Sequence, residues 1–302
     1  MNYEKYLEKC SICPRACQVN RFNNINLGVC NSSHKIKIAK VSLHQWEEPC
    51  ISGTRGSGTI FFSNCNLKCV FCQNHKISQE GFGKEISIDR LSDIFLEQQA
   101  KGAHNINLVT PTHYALQIIE ALKIAKSKGL NIPILYNSNG YENIETIKLL
   151  NNFIDVYLPD LKYFDNKYAL KYSNAPNYFS VASKAIKEMY KSVGPVKFNK
   201  DGLIEKGVII RHLMLPNLLF DSKKIIDFIF NTFGHNVYIS LMNQYTPMYK
   251  SLEYKELSNP LNPKLYDSLI NYCLSLGIEH AFIQECGTNS TNFVPNFDLN
   301  GV

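Results

Sequence analysis

The feature that most restricts what this chain can fold into is an alternation. From Thr59 onward, short apolar runs alternate with longer stretches of helical periodicity. The runs Thr59–Ser63, Asn105–Val109, Ile132–Asn137, Ile154–Leu158, Gly207–Leu213, Val237–Leu241 and His280–Gln284 are rich in Ile, Val, Phe and Tyr. Strands buried on both faces have this nearly continuous apolar character. Between them, Asp89–Lys101, Tyr114–Lys128, Asn143–Asn151, Tyr178–Val193, Asp221–Phe233 and Pro263–Leu276 read as helices. Leu116, Ile119, Leu122 and Ile124 recur at helical spacing within the second of these. Asp89 and Asp221 stand where N-caps belong, and Gly102, Gly129, Gly234 and Gly277 where C-terminal caps belong. Repeated strand–helix units predict an α/β fold with parallel strands and right-handed crossovers. A partial or complete (β/α) barrel is expected, with an open doubly wound sheet as the alternative. In either, chemistry gathers at the C-terminal ends of the strands.

Residues 1–57 break this pattern. They hold five of the ten cysteines and the only Trp, and end in the Gly-rich stretch Gly53-Thr54-Arg55-Gly56-Ser57-Gly58. The expected division is a cysteine-rich leader over 1–57 and a barrel over 58–302. The whole chain has 302 residues, 45% apolar and 19% charged. That is enough for a barrel-sized core and excludes wholesale disorder. The net charge of +6 is too mild and too dispersed for a nucleic-acid-binding tail. No apolar run reaches the roughly 18 residues a bilayer span needs. The opening residues lack the apolar stretch of a secretory signal. A cytoplasmic protein without nucleic-acid or membrane partners is expected, and its clustered cysteines then point to metal or redox chemistry rather than disulfides.

Directly after the first apolar run comes Cys65-Asn66-Leu67-Lys68-Cys69-Val70-Phe71-Cys72, spaced C-x3-C-x2-C. Three soft thiolates in one loop suit three corners of an iron–sulfur cubane. A fourth cysteine at matching spacing is absent, so one iron would keep an open position for a ligand. A zinc knuckle completed by His75 or Cys50 is the alternative, but C-x2-C pairs dominate zinc sites. The motif, with aromatic Phe71 before its last cysteine, resembles that of the radical S-adenosylmethionine (SAM) superfamily. The resemblance is closest to pyruvate formate-lyase activating enzymes. Within them it is to a branch with a cysteine-rich leader and runs similar to Leu43-His44-Gln45-Trp46-Glu47-Glu48-Pro49-Cys50 and Gly56-Ser57-Gly58-Thr59-Ile60-Phe61-Phe62.

That resemblance implies an oxidoreductase with a [4Fe-4S] cluster on Cys65, Cys69 and Cys72 and SAM on the unique iron. One-electron reduction by flavodoxin or ferredoxin would cleave SAM to a 5′-deoxyadenosyl radical that abstracts hydrogen. The target in the activating enzymes is a backbone glycine of a glycyl radical enzyme; radical modification of another peptide or a small molecule is the alternative. A non-catalytic iron–sulfur or zinc module for electron transfer or binding is the rival from another class. Its cluster would normally be closed by a fourth ligand, which is missing here.

The other strand ends supply the candidate cofactor-binding residues. Thr110 and Thr112 stand where the activating enzymes carry a Gly-Gly-Glu-like stretch for the SAM amino group, and the glycines and acid are missing. Asn137 and Asn139 suit ribose hydroxyls or a carboxylate. Asp160-Leu161-Lys162 matches an Asp-x-Lys that lies beside SAM in the resembled family, and alternation points both charged residues one way. Arg211 and His212 interrupt an apolar strand and need partners, so either is a candidate SAM contact. Gln244, Tyr245 and Cys286 are weaker candidates. Cys10, Cys13, Cys17 and Cys30, spaced C-x2-C-x3-C-x12-C, are expected to bind a second metal, as structural zinc or an auxiliary [4Fe-4S] cluster.

Overall fold

In a computed structural model of the chain, residues 4–23, 25–284 and 295–302 are described. Ten strands form one mixed sheet. They are β1 (Ile36–His44), β2 (Ser57–Phe62), β3 (Lys84–Ile86), β4 (Ile106–Val109), β5 (Ile134–Ser138), β6 (Val156–Pro159), β7 (Lys197–Phe198), β8 (Ile204–Leu213), β9 (Tyr238–Met242) and β10 (Ala281–Ile283). Their order is β10-β9-β8-β6-β5-β4-β2-β1-β3, with β7 paired to β8. From β2 to β10 every pairing along that path is parallel. β1 then runs antiparallel on β2, and β3 antiparallel on β1. Among the described residues β10 and β3 are the two ends of the path. The parallel strands therefore form a partial barrel, open at one side, and not a closed one.

Each apolar run read as a strand contains one, shifted by no more than three residues at either end. The six expected helices are present, and Tyr178–Val193 has the expected bounds. The two expected N-caps are not. Ser87 caps the helix Ile88–Ala100 by accepting from Arg90 N. Asp221 lies inside the helix Leu219–Phe233 and accepts at 2.9 Å from both Phe164 N and Asp165 N, so it ties a loop to a helix.

The leader is not set apart from the sheet. β1, which belongs to residues 1–57, pairs with β2 over six positions, with a bulge between Ile38 and Lys40. A division at 57/58 therefore cuts between hydrogen-bonded neighbours. The leader also reaches inside. The short helix Pro49–Ser52 puts Cys50 and Ile51 against Leu135, Val156, Leu158, Ile204 and Ile209. Side chains alternate across a strand. Leu135, Val156, Leu158 and Ile209 thus face the concave side, while Tyr136, Tyr157, Val208 and Ile210 join the main core under the outer helices. The leader supplies the plug that a partial barrel needs for its apolar lumen. Other leader contacts fix it further: Arg21, fully buried, donates to the carbonyls of Ser32, Ser33 and His113, and Thr146 donates to Ile12 O at 2.5 Å.

Ile51 is fully buried in this lumen. Ile51→Ala should cost about 2–5 kcal/mol of unfolding free energy, the range for large-to-small core changes, measured by urea denaturation. A change within about 0.5 kcal/mol, the surface-site range, would show that the leader does not pack into the barrel.

Candidate active site

The chain leaves β2 through Ser63 and Asn64 into the cysteine loop. Asn64 takes a left-handed φ of +74°, which Asn tolerates, and its amide donates to Asn31 O and Ser32 Oγ of the leader, both at 3.1 Å. Lys68 N donates to Ser173 O and Val70 N to Tyr172 O, so the loop is pinned to the end of the helix Asn166–Ser173. Arg15 donates to Asn66 O at 2.8 Å. The three sulfurs then line one cavity of about 440 Å3 at the C-terminal ends of the parallel strands. No other cysteine lines it among the described residues.

Each sulfur has a donor. Cys65 Sγ accepts from Leu67 N at 3.4 Å and from Asn139 Nδ2 at 3.3 Å. Cys69 Sγ accepts from Ser173 Oγ at 3.0 Å, and Cys72 Sγ lies 3.1 Å from Ser78 Oγ. Burial pushes the Cys65 thiol up to about 12 and the Cys72 thiol up to about 11, and the neighbouring Cys69 adds to both. Thiols in this state ionise when a cation is supplied. Among the described residues no three His, Cys, Asp or Glu side chains converge as ligands of a single ion. A cubane takes one thiolate per iron, and Cys65, Cys69 and Cys72 line one cavity.

The expected strand-end residues divide into two groups. Thr110, Asn137, Asn139, Asp160 and Lys162 line the cavity. Thr110 has a φ of +59°, which is rare for a β-branched residue and marks strain of the kind found at binding sites. Its N–H donates to Asn137 O. Lys162 Nζ and Asp160 Oδ2 are 2.5 Å apart. Burial alone would lower the lysine, but Asp160 and Cys69 hold it above its ordinary value and charged. Tyr178 ties these strand ends together: its hydroxyl donates toward Asn139 O and Asp160 O, and accepts from Lys162 N. Gly140, at φ +76°, is needed here, because a Cβ would lie 2.2 Å from Asp160 O.

The remaining expected residues are engaged elsewhere. Thr112 is fully buried and donates to Glu142 Oε1 at 2.6 Å. His212 is buried; its Nδ1 donates to Leu161 O at 2.7 Å and its Nε2 accepts from Ser222. Burial lowers it to about 4, so it is neutral. Phe71 packs behind the loop with its ring 6.1 Å from Tyr245, whose hydroxyl donates to Leu257 O. Gln244 does line the cavity. Cys286 lies outside the described residues.

Arg211 also reaches the cavity, but its partners are protein. It donates to Glu48 Oε1 at 2.9 Å and to Glu47 Oε2 at 2.6 Å, with a further bond to Glu48 Oε2. Burial opposes the charge on Glu48, and the Arg211 charge overcomes it and holds the carboxyl low. Glu47, Glu48, Glu142, Ser173 and Tyr178 were not singled out from the sequence. The adjacent acids Glu47-Glu48 beside the sole Trp were the one visible signal.

The leader cysteines are neighbours without a preformed ion site. Burial pushes Cys13 up to about 12, with Cys30 and Cys10 adding to it. Cys17 packs on Gly28, where a Cβ would lie 2.9 Å from its sulfur. No three His, Cys, Asp or Glu side chains converge on one ion site here among the described residues.

Fold and site together define a partial-barrel enzyme built around three thiols at its mouth. Residues 59–229 match the radical SAM superfamily. The chain belongs to that superfamily, whose chemistry is SAM binding and radical generation, and is a radical SAM enzyme. It is 33% identical over 264 residues to an uncharacterized protein of Methanocaldococcus jannaschii, covering 84% of this chain and 71% of that one. It is similar in fold to Streptococcus suis SuiB bound to precursor peptide SuiA (TM-score 0.53, 15% identity, 74% of this chain and 47% of that one). The same holds for the FeFe-hydrogenase maturase HydG from Carboxydothermus hydrogenoformans (0.52, 13%, 78% and 56%). The chain thus spans about half the length of these solved proteins. Among the described residues no helix is long and apolar enough to cross a membrane.

Glu142, behind the strand ends, carries a pH prediction. Burial raises its carboxyl from 4.5 to about 8, so it is protonated at neutral pH. A raised carboxyl binds more protons folded than unfolded, so its contribution is present below pH 4.5 and lost as pH rises toward 8. Glu142→Gln should therefore gain stability relative to the parent between pH 5 and 8, read as a widening Tm difference. A constant difference would sink the assignment.

Proposed function

We propose that this chain holds a [4Fe-4S] cluster on Cys65, Cys69 and Cys72 and binds SAM at the remaining iron. The observation that carries this reading is that three thiols, Cys65 and Cys69 buried and Cys72 half-buried, and no fourth cysteine among the described residues, line one cavity at the parallel strand ends. When bound, the cluster supplies the electron that cleaves SAM to methionine and a 5′-deoxyadenosyl radical.

The chain's own residues then have separable tasks. Lys162, kept charged by Asp160, offers a cation to the methionine carboxylate. The Thr110 region and Asn137 offer carbonyls and amides to the ammonium and the ribose. Asn139 and Ser173 donate to Cys65 and Cys69, which stabilises their thiolates and orients them. Thr112, His212 and Arg211 are left out of SAM binding, because their polar atoms have protein partners.

Reduction by flavodoxin or ferredoxin and hydrogen abstraction from a glycyl radical enzyme belong to this proposal on the strength of the motif resemblance. Another peptide or a small molecule is the second substrate reading; the altered Thr110-Pro111-Thr112 strand end favours it. A second metal on Cys10, Cys13, Cys17 and Cys30, as structural zinc or an auxiliary [4Fe-4S] cluster, is likewise proposed, supported by the burial of Cys10, Cys13 and Cys30.

The test is anaerobic reconstitution, dithionite reduction and chromatography for 5′-deoxyadenosine. The parent protein should form it from SAM. Cys69→Ala should lose about four iron atoms per chain, the content of one cubane, and all cleavage. Zinc in the 65–72 loop, or a loaded cluster that leaves SAM intact, would overturn the proposal.

A further inference from the structure

A second pocket of about 200 Å3 adjoins the cavity. It lies between the leader turn and the ends of β8, β9 and β10. Trp46 and Phe282 supply aromatic walls, and Glu47, Glu48, Arg211 and Ser240 supply its polar side. Trp46 is 68% exposed, so the pocket opens to solvent beside it. Glu47 and Arg211 line both spaces, so a molecule seated in the pocket would reach the cysteine cavity.

The charge of this pocket is unbalanced. Two carboxylates face one guanidinium. Asp160 and Lys162, the next charged pair along the cavity, cancel one another. Among the described residues one negative charge is left on a nearly buried surface, where an uncompensated charge is costly. A neutral polar group beside it is also incomplete. Asn107 is fully buried and donates to Glu47 Oε1 at 2.7 Å, while its own Oδ1 accepts from nothing among the described residues. Excess negative charge and two aromatic walls share one demand. A compact cation with several N–H donors meets it, through charge-assisted hydrogen bonds and cation–π contact.

We propose that this pocket binds a primary alkylammonium group of the substrate. Glu47 is the anchoring carboxylate and Trp46 the aromatic wall, and the rest of the molecule extends toward the three thiols. Arg211 and Glu48 also line the pocket; Arg211 pairs with Glu48 and holds Glu47 in place. The inference deepens the proposed function and rests on it, since the extended end must reach a reactive centre in the same cavity. The ammonium is supplied either by a free amine or by a lysine side chain of a peptide.

The test is calorimetric titration of the reconstituted, SAM-loaded enzyme with butylammonium, and with butanol as a neutral control of similar size. The sole Trp gives a parallel emission signal from the pocket itself. Butylammonium should bind saturably and butanol should not. Glu47→Gln should weaken binding about tenfold or more, a loss of one charged contact. Trp46→Leu, at an exposed position that spares folding, should also weaken it and keeps the test available if Glu47→Gln misfolds. Equal binding of butanol, no saturable heat from butylammonium, or unchanged affinity in both variants would overturn the inference. Acetyl-Gly-Lys-Gly-amide separates the sources: binding tighter than butylammonium assigns a peptide, and weaker binding a free amine. Formation of 5′-deoxyadenosine without any amine is scored separately. Its absence fails the radical SAM proposal, whereas its presence without amine binding fails this inference alone.

Discussion

Burial raises all three thiols of the cysteine loop, and the rest of the structure is arranged around that constraint. Three sulfurs held together out of water resist ionisation, because each thiolate is desolvated and repels the next. The proposed cluster, positively charged at its core, would reverse this. A loop held rigid keeps the ligands from collapsing into an ordinary apolar contact. Rigidity comes from several directions: Tyr172 and Ser173 hold the loop backbone, Asn139 and Asn66 join it to the end of β5, and Arg15, Asn31 and Ser32 brace it from the leader. Asn139 takes part twice, donating to a sulfur and to the neighbouring amide.

The second organising interaction is the ion network between Arg211 and the leader acids. A buried ion pair is weak support for stability in itself. It is effective at fixing one arrangement, because any other would leave a charge buried without a partner. Here it fixes where the leader enters the open barrel. The turn at Glu47 and Glu48 is drawn to β8, and the helix Pro49–Ser52 follows it into the lumen to meet Leu135, Val156 and Leu158. Structure and function meet at this point, since the same turn lines both the cysteine cavity and the adjoining pocket. A segment that looked like an appendage forms part of the wall.

Much of the candidate site was legible because the barrel rule converts chain order into position. A residue just past a buried strand stands at the mouth, and so Cys65, Thr110, Asn137, Asp160 and Lys162 were found from strand ends alone. Thr110 is instructive. The resembled enzymes have glycine near this place, and here a threonine takes the left-handed backbone that glycine takes without strain. Thr112 and His212 have protein partners instead: Thr112 sits in the 3-10 turn Thr112–Tyr114 beyond β4, and His212 lies on the face of β8 opposite Arg211. Thr112 turns to Glu142 and His212 to Ser222. Glu142 had no sequence signal, because a buried acid and a solvated one are written with the same letter.

The sequence by itself determined the strand and helix alternation, the parallel order and the cysteine motif. These are local properties: periodicity and spacing act between residues near one another in the chain. The tertiary structure decided what depends on distant partners. It decided that β1 closes onto β2, that Arg211 answers to acids more than 160 residues away, and that the leader fills the lumen. The physical reason is that burial and charge compensation are settled only when the chain has folded, and a polar residue's role is set by whichever group it is buried beside.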